Sequence, residues 1–147
     1  MAEVVARAKI AEAGLDGRVV VDSAGTGDWH VGAQMHQGAR RQLAEGGYDG
    51  SAHRARQFSP SWLAERDLVL AMDASNLAAL RRHDRADTDR RIRLFGEVAG
   101  LGGKDIPDPY GANAQEFARV LAMVESGAAH LVARLSDLLR TPAQPGR

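Results

Sequence analysis

The chain has 147 residues, 44% hydrophobic and 26% charged, with 19 Lys and Arg balancing 19 Asp and Glu. A single domain of this size buries roughly 70% of its extended-chain surface, and a cancelled charge gives no field for nucleic acid, so no nucleic-acid partner is expected. No run approaches the ~18 apolar residues of a membrane span and no basic-then-apolar leader opens the chain, so the expectation is a cytoplasmic protein with no membrane partner; the absence of cysteine excludes disulfides, thiolate metal sites and a cysteine nucleophile among these residues.

Residues 1–13 are strong helix formers, with Val4, Val5, Ala8 and Ile10 supplying a partial apolar face and Gly14 a stop. No cap residue precedes them, so the first N–H groups lack a partner, and either fraying or further residues ahead of Met1 is expected. Val19, Val20 and Val21 read as a short buried strand ending at Asp22. It opens into a small-residue loop, Ser23-Ala24-Gly25-Thr26-Gly27, whose hydroxyls and backbone N–H groups can approach an anion closely. Trp29 follows, and a large amphipathic ring there either packs against the core or walls a binding slot.

Residues 34–45 are expected to be helical, with Met35, Ala39 and Leu43 on one face and Gly46-Gly47 as the stop. A polar connector over 48–58 holds His53-Arg54-Ala55-Arg56. Ser59-Pro60 opens a short helix to about Arg66, residues 67–72 form a buried strand, and Asp73 caps a helix over 74–82. The mixed-charge run 83–91 reads as a solvated loop, because its acids cancel its arginines. A last strand over 92–95 leads into a glycine-rich loop over 96–103. Asp108 stands between Pro107 and Pro109 on a stiffened backbone, a setting that suits a group presented to a ligand. Asn113 with Glu116 makes a capping box, and Phe117, Val120, Leu121, Val124, Ala128, Leu131, Leu135 and Leu138 follow at helical spacing to about Arg140. Residues 141–147 should be a disordered tail after a domain over 1–140. Alternating helices and buried strands predict an α/β fold with a helix-covered parallel sheet, and its ligands belong at the carboxyl ends of strands, where the 23–29 loop lies.

Taken together, Met1-Ala2-Glu3, Asp22-Ser23-Ala24-Gly25-Thr26 with Trp29 and Val31-Gly32, His53-Arg54-Ala55-Arg56-Gln57, Ala71-Met72-Asp73-Ala74-Ser75-Asn76-Leu77 and Asp108-Pro109-Tyr110 resemble the low-molecular-weight protein tyrosine phosphatases over nearly the whole chain. The resemblance implies a three-layer helix, parallel sheet and helix fold, flavodoxin-like, with strand order 2-1-3-4. The family carries a strand and a Cys-x5-Arg-Ser/Thr phosphate loop ahead of a segment like Met1-Ala2-Glu3. Neither is among these residues, so Met1 is expected to sit just after that loop, with the interior first strand absent here.

By the same resemblance, a thiolate attacks phosphorus, and Asp108 matches the acid that protonates the leaving phenolate and then activates water against the phosphocysteine. Trp29 and Tyr110 match the aromatic walls of a slot for the phosphotyrosine ring, with His30 beside them. Ser23 and His53 match residues that brace the phosphate loop, Glu3 a glutamate that pairs with the histidine, and Asp73 an acid near the site. Without the pattern, Ser23 reads as a turn hydroxyl, His53 as a surface histidine and Asp73 as an N-cap. Where the family often has a second tyrosine, Gly111 stands.

The expected substrate is a phosphotyrosine protein or aryl phosphate and no cofactor is implied, but a chain without the nucleophile should be inactive until a strand and Cys-x5-Arg loop are supplied. A non-catalytic module that binds phosphotyrosine or a partner is the alternative, while an arsenate reductase would require further cysteines. Ser23 lacks a Gly-x-Ser-x-Gly setting for a hydrolase nucleophile, and His30 and His36 lack the partners of a metal site. Loss of an interior strand would leave the 19–21 strand ~10 Å from the 67–72 strand, and instability, aggregation or self-association through the unpaired sheet interior is expected.

Overall fold

The computed structural model describes residues 1–84 and 91–140. The elements run α1 (Ala2–Glu12), α2 (Gln37–Glu45), α3 (Trp62–Glu65), β1 (Val69–Ala71), α4 (Ala74–Arg81), β2 (Ile92–Leu94), α5 (Phe95–Val98) and α6 (Ala114–Arg140). The expectations for Arg85 to Arg90 within the charged run and for the 141–147 tail, like that for the Leu138 side chain, lie outside what the structure describes. Among the described residues no helix is long and apolar enough to cross a membrane.

Among the described residues the sheet is two parallel strands, with Val69, Leu70 and Ala71 of β1 opposite Ile92, Arg93 and Leu94 of β2. Helices α1, α2 and α5 pack on α6. Val5, Leu43, Phe95, Ala99 and Ile106 meet Val120, Leu121, Val124 and Ala128 in one buried cluster, a result of the α6 apolar positions recurring at helical spacing. A second cluster, Leu63, Ala71, Leu80 and Ile92, sits between the sheet, α3 and α4.

Several boundaries differ from expectation. The strand expected over 19–21 does not form: Val19 N–H bonds back to the Leu15 carbonyl, Arg7 donates to the Val21 carbonyl, and Val20 is 94% exposed. β-branched residues fit a strand only where a neighbour can accept their backbone bonds, and here β1 pairs with β2 alone among the described residues. The helix expected from 34 starts at Gln37, because Gln34 is drawn into an antiparallel bridge with Arg54. Residues 95–98, read as strand end and loop, form α5, whose Phe95, Gly96 and Val98 are buried. One turn is too short to show a period in sequence. Gly96 has no side chain to spare, since a Cβ there would lie 1.9 Å from the Lys104 carbonyl oxygen.

The capping expectations hold at two helices. Asp73 accepts the Asn76 N–H at 2.7 Å at the start of α4, and Asn113 accepts the Glu116 N–H at 3.0 Å at the start of α6. The stretch leading to Asp108 is pinned to the carboxyl end of β1: Ile106 N–H donates to the Met72 carbonyl at 2.8 Å and Asp105 Oδ1 accepts from Ala74 N–H at 3.2 Å.

Candidate active site

One irregular loop, 22–34, presents three of the candidate residues, Ser23, Trp29 and His30. Its backbone is laced to the 53–58 segment by Gly25 N–H to Arg56 O, Phe58 N–H to Gly25 O and Gly32 N–H to Ala55 O, each 2.8 Å. These bonds tie down the backbone of a largely exposed loop. Asp22, at the loop's start, takes a two-pronged hydrogen bond from Arg66 and a weaker one from Arg56 at 3.4 Å. Both guanidinium groups lie over the Trp62 ring, Arg66 at 4.0 Å and Arg56 at 4.5 Å from its centroid. The Arg66 hydrogen bond holds the Asp22 carboxyl below the usual carboxylate range, with burial opposing. This clamp escaped the sequence reading, because no local pattern links Asp22 to a side chain 44 positions on.

The structure gathers Glu3, Ser23 and His53. Ser23 Oγ donates to Glu3 Oε1 at 3.1 Å and lies 3.2 Å from His53 Nε2. Because the hydroxyl's one proton goes to the carboxylate, we assign the Nε2 proton to His53, which donates to Ser23 Oγ. Glu3 therefore reaches His53 through Ser23. His53 Nδ1 is buried with no hydrogen-bond partner among the described residues. Burial pushes this imidazole below the ordinary histidine value; Glu3 opposes, while the α-amino group, Arg7 and Arg54 add to the lowering. A cleft of about 550 Å³ opens beside Glu3 and His53 and is lined also by Arg7, Arg54 and Arg56.

A second group holds the aromatic candidates. Trp29 meets His30 edge-on with centroids 6.4 Å apart, and His30 lies 5.7 Å from Tyr110. Trp29 is 77% and Tyr110 63% exposed, so both rings stand at the surface. The Trp29 ring lies across Gly27, where a Cβ would come within 2.1 Å of it. Asp108 Oδ1 accepts the Tyr110 N–H at 3.0 Å, a local turn that leaves the other carboxylate oxygen without a partner among the described residues. Gly111 has φ of +75°, a left-handed conformation that a tyrosine would strain.

Asp73 caps α4, between Met72 and Ala74, which bond to the stretch leading to Asp108. His36 was weighed only as a metal ligand, yet it touches Tyr110 and caps α2. No cluster of three or more His, Cys, Asp or Glu able to hold a metal ion occurs among the described residues.

Comparison with known proteins identifies the family and the fold. The family described as low molecular weight phosphotyrosine protein phosphatase matches residues 1–140. A low molecular weight protein-tyrosine-phosphatase of Streptomyces coelicolor is 41% identical, with 93% of this chain and 85% of the relative covered. YfkJ of Bacillus subtilis, named likewise, is 35% identical, with 92% of this chain and 86% of the relative covered. The crystal structure of an Entamoeba histolytica protein tyrosine phosphatase superposes with a TM-score of 0.87 at 25% identity, covering 94% of this chain and 88% of that one. The crystal structure of YfkJ itself gives 0.83 at 31% identity, covering 93% and 86%. By motif, fold and shared residues alike, this chain belongs to the low molecular weight protein tyrosine phosphatase family, with its flavodoxin-like α/β architecture.

Proposed function

We propose that this chain carries the ring-binding wall and proton donor for hydrolysis of phosphotyrosine in proteins, or of simpler aryl phosphates, and that its 147 residues alone do not catalyse that reaction. The observation that carries the reading is the run of rings Trp29, His30 and Tyr110 with Asp108 bonded into the Tyr110 turn. An aryl ring set against Trp29 and Tyr110 brings its ester oxygen toward the Asp108 carboxyl. In its protonated form Asp108 donates to the leaving phenolate; as carboxylate it then takes a proton from the water that cleaves the phosphoenzyme. Ser23, His53 and Glu3 form a hydrogen-bonded brace behind the 23–27 loop, a hydroxyl held between an anion and an imidazole. Asp73, the α4 cap, is the acid near this site. A cytoplasmic location accompanies the reading.

The chemistry also requires a nucleophile for phosphorus and a cation for the equatorial oxygens. With no cysteine in the chain, the covalent step has no thiolate. Purified residues 1–147 are expected to leave p-nitrophenyl phosphate intact. Placing a strand and a Cys-x5-Arg loop ahead of Met1 is expected to start turnover, and Asp108→Asn in that extended protein to slow it by roughly 10²- to 10⁴-fold. Turnover by the 147 residues alone that Asp108→Asn abolishes would overturn the cysteine-dependent mechanism.

The absence of cysteine equally favours a second reading, a non-catalytic module that holds a phosphotyrosine in the same slot. Titration with a phosphotyrosine peptide, followed by tryptophan emission in the wild type and in Trp29→Phe, separates the two. Saturable quenching that depends on Trp29, without hydrolysis, is the result expected of a binding slot.

A further inference from the structure

Tyr110 is a poor wall taken alone. It follows a proline turn, precedes a left-handed glycine, and is 63% exposed. Something must hold its ring if a slot is to have a fixed width. Among the described residues two rings touch it, His30 on the 22–34 loop and His36, both exposed.

His36 is the better anchored. It stands at the N-cap of α2, where its Nδ1 accepts the Gly38 N–H at 3.0 Å. Its ring stacks on Phe117 of α6, with centroids 5.3 Å apart and planes 11° from parallel. Phe117 is 3% exposed and part of the core. Gly38 closes the arrangement, since a Cβ there would come within 2.8 Å of Phe117 and 3.2 Å of His36 Nδ1. The His36 ring is thus fixed at three points, by hydrogen bond, stacking and a floor with no room for a methyl group. Its remaining side meets the Tyr110 ring edge-on at 5.1 Å and 67°.

We infer that His36 is a positioning residue that ties Tyr110 to the core through Phe117 and so sets the width of the aryl slot. This rests on reading Trp29 and Tyr110 as that slot. Of the N-cap residue types, Asn or Asp would accept the Gly38 N–H as well, but neither offers a ring to Tyr110. The imidazole serves both ends, and its aromatic face is the part that the slot uses.

The test compares two variants in the full chain, His36→Asn and His36→Phe. Tyr110 is followed by the NMR shifts of its ring protons, distinguished from those of Tyr48 by a Tyr48→Phe control, and slot occupancy by titration with phenyl phosphate. His36→Asn keeps the helix cap and loses the ring: Tyr110 shifts should move toward those of free tyrosine and affinity fall roughly three- to tenfold, with helical circular dichroism unchanged. His36→Phe loses the cap and keeps the ring, so Tyr110 shifts and affinity should return toward wild type. The reverse pattern, Asn silent and Phe damaging, would show that His36 serves only as a cap and would overturn the inference, as would unchanged Tyr110 shifts in both variants. If wild type fails to bind phenyl phosphate while the Tyr110 shifts still follow the ring, the aryl-slot reading falls and the positioning role of His36 stands.

Discussion

Ser23 has one proton to give and gives it to Glu3, which forces His53 to supply the second bond and leaves His53 Nδ1 buried and alone. That arrangement favours the neutral imidazole: a second ring proton would sit where no acceptor awaits it. Burial is accordingly the largest cause of the lowered His53 pKa. The sign follows from linkage, because the unfolded chain binds this proton more readily than the folded one. Stability should be full above the ordinary histidine value of 6.5 and fall as pH drops below it toward the folded value. The buried α-amino group, lowered from 8.0, pulls in the same direction at higher pH; Asp22, lowered from 3.8, acts only in more acid solution. Urea midpoints measured from pH 7.5 down to about 5 should therefore decline more steeply in wild type than in His53→Gln, which keeps a donor for Ser23 and cannot gain a proton. Parallel declines would show that His53 does not titrate in this interval.

Among the elements, α4 shows how a residue with two readings resolves. Asp73 carries a site-facing reading and a capping reading, and its Oδ1 accepts the Asn76 N–H. Asp73→Ser, which also caps, should leave stability nearly unchanged, whereas Asp73→Ala should cost about 1 kcal/mol in urea unfolding. Equal losses in both variants would mean that the charge, and not the cap, matters. Caps were legible in the sequence because they are local: Asp73 and Asn113 sit beside the helices they start. The long α6 was legible for the same reason, its apolar residues recurring at a fixed period. The 19–21 strand was misread because three valines state a preference for extended backbone and say nothing of who will pair with them. The Asp22–Arg66 clamp, the Gly38–Phe117 contact and the His36 stack join residues far apart in the chain, and no pattern along the sequence encodes such distances. At the site, the Pro-flanked Asp108 and the ring of Trp29 drew notice from the residues alone. Glu3, Ser23 and His53 became a group through family resemblance, and their geometry required the fold.

For the whole molecule, the sheet is the open question of physics. β1 pairs with β2 on one side, and among the described residues no strand pairs with its other edge. Leu68, next to β1 in the chain, is 36% exposed, an apolar side chain beside backbone groups with bonds left to make. An edge of this kind is a template for another strand, and a two-stranded sheet is too small to be stable without packing partners. We propose that two copies of the chain associate through this edge. Sedimentation velocity over a hundredfold range of concentration should show a reversible shift from monomer to larger species. Leu68→Lys places a solvated charge beside that edge and should move that shift to higher concentration, as edge lysines do in natural sheets. Leu68 is 36% exposed, so a lysine there can carry its ammonium into solvent in the monomer, and the melting midpoint should stay within a few degrees of wild type. A monomer at every concentration with a single cooperative melt would mean that the edge is satisfied within one chain, and the association would have to be abandoned.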